Sequence, residues 1–135
     1  MSNLRYYSYE GAGRTLSDMN HYSQTVIIGD IVKISGQGGW DTSLKIDPND
    51  PKGQVDLAFD NVDKALRDAG LRGWEDVYAI RTYHCPMHET MDYAVQKLKE
   101  RIPNHRPILT GVGVAELAFP EMKIEIEVEA YRGGL

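Results

Sequence analysis

The segment that most constrains this chain is residues 124–131, Ile-Glu-Ile-Glu-Val-Glu-Ala-Tyr. Ile124, Ile126, Val128 and Ala130 alternate strictly with Glu125, Glu127, Glu129 and Tyr131. Successive strand side chains point to opposite faces, so a period of two held this long specifies a strand. One face must be buried, because a one-residue slip would carry every apolar side chain into water. The other face carries three carboxylates, which either water solvates or a site employs. Just upstream, the apolar, glycine-containing run Ile108 to Ala115 reads as a second strand joined to the first by a turn.

The rest of the chain supplies partners for that strand. Tyr6, Tyr7 and Tyr9 mark a short first strand, and Gly11, Gly13 and Ser17 mark a loop after it. Val26, Ile27 and Ile28 end one strand and Ile31, Val32 and Ile34 carry the next; Gly29-Asp30 between them suits a two-residue turn with glycine first. Residues 38–51 are dense in Gly, Asp, Asn and Pro and read as a loop. Trp40 is unusual there, and either caps the core or walls a pocket. From Gly53 to Ala69, Val55, Ala58, Val62, Ala65, Leu66 and Ala69 recur at helical spacing, and Gly70 stops the helix. Trp74 to His84 reads as a strand. His88 to Ile102 reads as a second amphipathic helix that Pro103 ends.

This order gives an α+β domain with one sheet covered on one face by two helices. The other sheet face stays partly apolar, which calls for self-association, because large exposed apolar patches are rare on monomers. A chain of 135 residues fits a single domain, residues 1–135. The one cysteine leaves no intrachain disulfide and no cysteine-based zinc site. No apolar run is long enough to span a membrane, and the N-terminus lacks a secretory apolar segment. A cytoplasmic or mitochondrial protein is the default expectation. The net charge of −5 argues against a nucleic-acid partner. The one tight basic cluster, Lys97, Lys99 and Arg101, reads as the solvated end of a helix, where cations offset the dipole.

Residues 106–131 resemble the C-terminal signature of the RidA/YjgF/UK114 family of reactive-intermediate deaminases, through Pro107, Val112, Val114, Ala115 and Leu117 and then Lys123-Ile-Glu-Ile-Glu127. Tyr22, Gln24, Gly29 and the triplet Ser35-Gly36-Gln37 fit the family's N-terminal pattern, and residues 54–71 resemble its first helix. The resemblance implies a chorismate-mutase-like fold, a homotrimer, and ligand clefts between neighbouring subunits. It places Glu125 on the glutamate that positions an attacking water, Tyr22 on a cleft tyrosine, and Gly36 where backbone meets ligand. Thr110 and Gly111 fall just after the position of the family's substrate-binding arginine, which aligns with Leu109. Asp92 falls near a family asparagine, and Trp40 lies in a loop that borders the cleft. Arginine grips a carboxylate through two charged hydrogen bonds that leucine cannot make. Deamination of 2-aminoacrylate is therefore not expected. The glycines at 111 and 113 further imply a wider cleft.

A carboxyl against an apolar wall can have a raised pKa and serve as a general acid or base; among the three glutamates it is the resemblance that implies this role for Glu125, while Glu127 and Glu129 read as a solvated strand face. His84 is a candidate cleft residue at the end of its strand. His84 and Cys85 are adjacent on a strand and face opposite sides, which disfavours a nucleophilic pair, and no set of three or four ligands is apparent for a metal. No cofactor is implied. The expectation is an enzyme acting at Glu125 on a small imine, enamine, enol or carbonyl metabolite. The alternatives are a non-catalytic metabolite-binding or chaperone-like trimer, and an endoribonuclease.

Overall fold

The computed structural model describes residues 1–133. In chain order the elements are Arg5–Tyr7 (β1), Ala12–Asn20 (α1), Thr25–Ile28 (β2), Ile31–Gly38 (β3), Pro51–Asp68 (α2), Val77–His84 (β4), Met87–Arg101 (α3), Ile108–Gly113 (β5) and Ile124–Tyr131 (β6). The strands form one sheet in the order β1-β2-β3-β6-β4-β5. Every pairing is antiparallel except β4 with β5. The sheet is therefore mixed, and the α+β expectation holds.

The alternating strand β6 takes an interior place between β3 and β4. Its Ile124, Ile126, Val128 and Ala130 are fully buried. They join Val55, Ala58, Phe59, Val62, Ala65 and Leu66 of α2 in the main core. The Phe59 ring stacks on Trp74 at 4.7 Å between centroids. Asp50 caps α2 by accepting from the Gly53 N–H at 2.9 Å, with Pro51 in the first turn. Gly29, at φ 60°, turns the chain from β2 into β3 as its place in the Gly-Asp pair requires.

Three sequence expectations are corrected. The chain after β1 is not a loop, because Ala12–Asn20 forms a helix. Its glycines masked a short apolar face in which Ala12, Gly13 and Leu16 are buried. The side chains of Ala12 and Leu16 pack with Trp40 and Met122 in a second, smaller core. Residues 74–76 form a single 3₁₀ turn before β4 begins. Finally, β5 and β6 are not neighbours, since β4 lies between them and pairs with both. The link from β5 to β6 is a crossover, not a hairpin turn.

Candidate active site

The three glutamates of β6 share a face but not an environment. Glu129 accepts from the Tyr78 hydroxyl at 3.0 Å and from Arg81 at 3.2 Å. Those donors hold its carboxyl below the ordinary range, although partial burial acts against them. Glu127 accepts from the Tyr83 hydroxyl at 2.7 Å and lies 3.9 Å from Arg81. Glu125 has no such partner among the described residues. Burial pushes its carboxyl upward, and the charge of Glu127 adds to the shift. Losing water without gaining a donor disfavours the charged form.

The backbone explains how the half-buried Glu125 carboxyl comes to sit against the neighbouring strand. The β3–β6 register shifts between Ile34 and Gln37, and such a bulge re-aims the residues within it. Gly36 sits in the bulge directly against the carboxyl, and a Cβ there would lie 2.0 Å from Glu125 Oε1. Glycine is what lets the backbone approach so closely.

Glu125, Gly36, Tyr22 and Trp40 border one cavity of about 400 Å³, together with Leu16, Asn20, Phe119 and Met122. Four candidates drawn from distant parts of the sequence thus meet at one place. Trp40 fills both of its expected roles. It is 3 % exposed, its indole N–H donates to the Tyr9 hydroxyl at 3.1 Å, and it also walls the cavity. Burial raises the pKa of Tyr22, donation from Gln24 opposes this, and the Glu125 charge adds to the rise.

The other candidates lie elsewhere in this subunit. Thr110 is opposite Arg81, which is opposite Glu127, so Thr110 shares the glutamate face two strands away. Leu109 is opposite Ile80 and Gly111 opposite Thr82, on the helix-covered face. Leu109 lines a separate groove with Ile80, Val95 and Leu98. A Cβ on Gly111 would lie 2.9 Å from Thr82 Oγ1 and 3.0 Å from Met91 Cε, so this glycine admits α3 to the sheet and does not widen the Glu125 cavity. Gly113, opposite His84, is on that same helix face. His84 is fully buried, with Nδ1 2.6 Å from Thr90 Oγ1 and Nε2 2.8 Å from Thr82 Oγ1. Burial lowers its pKa, and its two hydroxyl partners give it a structural place on the helix side. Asp92 is on the exposed side of α3. No group of three or more potential metal ligands comes together among the described residues.

Leu16 and Asn20 were missed because α1 was missed; their spacing of four was the available signal. Gln24 and Gln37 were seen only as pattern matches. Gln24 directly precedes β2 and Gln37 lies near the end of β3, and an amide placed next to an apolar strand run must find partners if it is buried, as both are; that requirement could have drawn attention to both.

Comparison with known proteins agrees with this architecture. The family model described as endoribonuclease L-PSP matches residues 13–132. A Streptomyces coelicolor protein, SCO2049, is 30% identical over 115 residues, covering 84% of each chain. The solved structure of protein YJGH is 29% identical with a TM-score of 0.79, covering 93% of this chain and 95% of that one. The YjgF gene product of E. coli is 26% identical with a TM-score of 0.72, covering 82% and 87% respectively. The matched span includes β3 and β6, which bring Gly36 and Glu125 to the cavity, and α2, which packs against both, and the chain belongs to the YjgF/UK114 family, the endoribonuclease L-PSP family of that model.

Proposed function

We propose that this protein is an enzyme that moves a proton on a small, uncharged imine, enamine, enol or carbonyl metabolite. Glu125 is the acid–base group, and Tyr22 and the Gly36 backbone hold the ligand. The observation that carries this reading is the isolation of Glu125. Of the three β6 carboxyls it alone lacks a donor, and burial raises its pKa. A raised pKa makes a carboxyl a stronger base when ionised and eases its return to the acid form, which suits it to acid–base work. With an imine, water adds to the carbon of C=N as the carboxylate takes one water proton and passes it to the nitrogen, giving a carbinolamine; the carboxylate then takes the hydroxyl proton as C=O forms and passes it to the nitrogen as the C–N bond breaks and ammonia leaves. With an enolisable carbonyl, the carboxylate removes the α-proton while Tyr22 donates a hydrogen bond to the oxygen.

Among the described residues no lysine or arginine lines the cavity, which supports an uncharged ligand over 2-aminoacrylate. The working assembly is a homotrimer with the cavity opening at the subunit boundary. Supporting this, Tyr78, Ile108, Val112 and Tyr131 are exposed apolar residues of β4, β5 and β6. An unpaired row of that kind favours burial against another copy. The endoribonuclease alternative draws less support. Lys97 pairs with Asp56 and Glu100 and Arg101 with Asp60, so most of the basic cluster is already engaged.

The test is a side-by-side assay with three substrates. Ammonia release is followed from freshly generated 2-aminoacrylate and from an imine without a carboxylate, and deuterium incorporation is followed at the α-carbon of phenylacetone in D₂O. Turnover of the uncarboxylated imine or phenylacetone, with little or none of 2-aminoacrylate, is the expected result. Preferred release from 2-aminoacrylate would contradict the ligand class. Binding of all three without turnover would favour the non-catalytic alternative.

A further inference from the structure

Beneath the cavity runs a hydrogen-bonded chain whose direction is fixed. The Trp40 indole N–H donates to the Tyr9 hydroxyl at 3.1 Å, and the Tyr9 O–H donates to Gln37 Oε1 at 2.7 Å. Gln37 Nε2 donates to Gln24 Oε1 at 2.7 Å, and Gln24 Nε2 donates to the Tyr22 hydroxyl at 3.1 Å. Three groups determine this polarity. An indole N–H can only donate, which makes Tyr9 pass its proton onward. The second hydrogen of Gln37 Nε2 goes to the Ser35 carbonyl at 3.0 Å, and that of Gln24 Nε2 to the Gly13 carbonyl at 3.1 Å. Carbonyl oxygens only accept, so neither amide can be turned over without setting oxygen against oxygen.

Gln24 and Gln37 are fully buried, and Tyr9 and Trp40 are 5 % and 3 % exposed. The chain is therefore sealed from water, and its members polarise one another in the same sense. It ends at Tyr22, which receives a hydrogen bond from below. The hydroxyl proton of Tyr22 has no acceptor among the described residues, and its ring borders the cavity beside Glu125.

We propose that Tyr9, Gln37 and Gln24 are positioning residues that hold Tyr22 as an obligate hydrogen-bond donor into the cavity, and that the cavity takes an uncharged ligand presenting a carbonyl oxygen or imine nitrogen to that hydroxyl. The proposal rests on the cavity being the ligand site. Trp40, Phe119, Met122 and Leu16 supply apolar walls for the body of such a ligand. Tyr22 is 36 % exposed, so water can serve its proton in the free protein; a ligand that covers it while offering only donors at that end would displace that water without replacing the acceptor, which is costly.

Two measurements on the full chain test this. In protein carrying ¹³Cζ-tyrosine, the Tyr22 resonance is assigned by its loss in Tyr22→Phe. Gln24→Met removes the donor to Tyr22 and is expected to move that resonance at neutral pH. Tyr9→Phe breaks the chain further back, and is expected to move it less and in the same direction. A Tyr22 resonance unmoved in both folded variants would overturn the positioning role. Phenylacetone is then the probe in a binding cycle. Gln24→Met is expected to weaken its binding about fivefold to tenfold in the native background, and by less than about twofold in the Tyr22→Phe background. An equal loss in both backgrounds would show that Gln24 acts on the fold and not through Tyr22. Failure of phenylacetone to bind the native protein would overturn the ligand class, while the resonance shift decides the positioning role separately.

Discussion

Glu125→Gln is expected to lower turnover of whichever uncarboxylated substrate the protein processes by about 10²–10⁴-fold, the usual contribution of a positioned acid–base group. Glutamine keeps the size and planarity of the side chain but can neither take nor return a proton. The fold should survive, because the Glu125 carboxyl makes no hydrogen bond or ion pair among the described residues for the substitution to break. Glu127→Gln is the control. It disturbs the contact with Tyr83 and the charge opposite Arg81, yet should leave turnover within a few-fold. Comparable losses in the two variants would mean that the row acts through its summed charge and not through Glu125.

The largest expected effect on stability comes from the other side of the sheet. Phe59 of α2 is fully buried, stacks on Trp74 with the rings inclined by 25°, and lies against the buried face of β6. The Phe59 carbonyl also accepts the Trp74 indole N–H at 3.0 Å, so the two residues are held by backbone as well as ring. Phe59→Ala removes the ring but not that carbonyl, and leaves a cavity that the close-packed α2 cannot collapse to fill. The expected cost is about 3–5 kcal/mol. That is a large share of the roughly 5–15 kcal/mol that stabilises an ordinary domain. Urea unfolding monitored by tryptophan fluorescence measures it. A loss below about 1 kcal/mol would show that this contact is not central to the core.

The elements that the sequence made legible are those whose burial is periodic. β6, α2 and α3 each carry an apolar face at the spacing of their own geometry, and each forms within a few residues of where that spacing places it. α1 escaped notice because two glycines and several polar residues surround a face of only Ala12, Gly13 and Leu16. The partner of β5 was also hidden. Its sequence does not say that β4 will insert between it and β6, since strand order depends on contacts across the whole sheet.

The site divides in the same way. The row of glutamates was plain, but their period of two makes them equivalent; only the donors Tyr78, Arg81 and Tyr83, all on β4, separate Glu125 from its neighbours. At β5 the limit was register. Moving one residue along a strand changes its face, so Leu109 turns toward the helices while Thr110 faces the glutamates. The buried chain from Trp40 to Tyr22 joins residues as far as 31 positions apart and is a product of tertiary packing alone.

The central claim, that Glu125 is a desolvated carboxyl poised to exchange a proton, can be tested without a substrate. The measurement is a pH titration of glutamate side-chain ¹³C carboxyl resonances in the free protein, with Glu125 assigned from Glu125→Gln. Burial and the neighbouring Glu127 raise its folded pKa above the unfolded value. The folded state therefore binds more protons between the two values, and stability attributable to this group falls as pH rises through that interval. Glu125→Gln should accordingly be the more stable protein at pH 7 and gain nothing below the ordinary carboxylate range. The account predicts a Glu125 midpoint clearly above that of Glu129. A midpoint at or below that of Glu129 would contradict it, because a carboxyl that ionises as readily as one held by a tyrosine and an arginine has not been set apart for proton transfer.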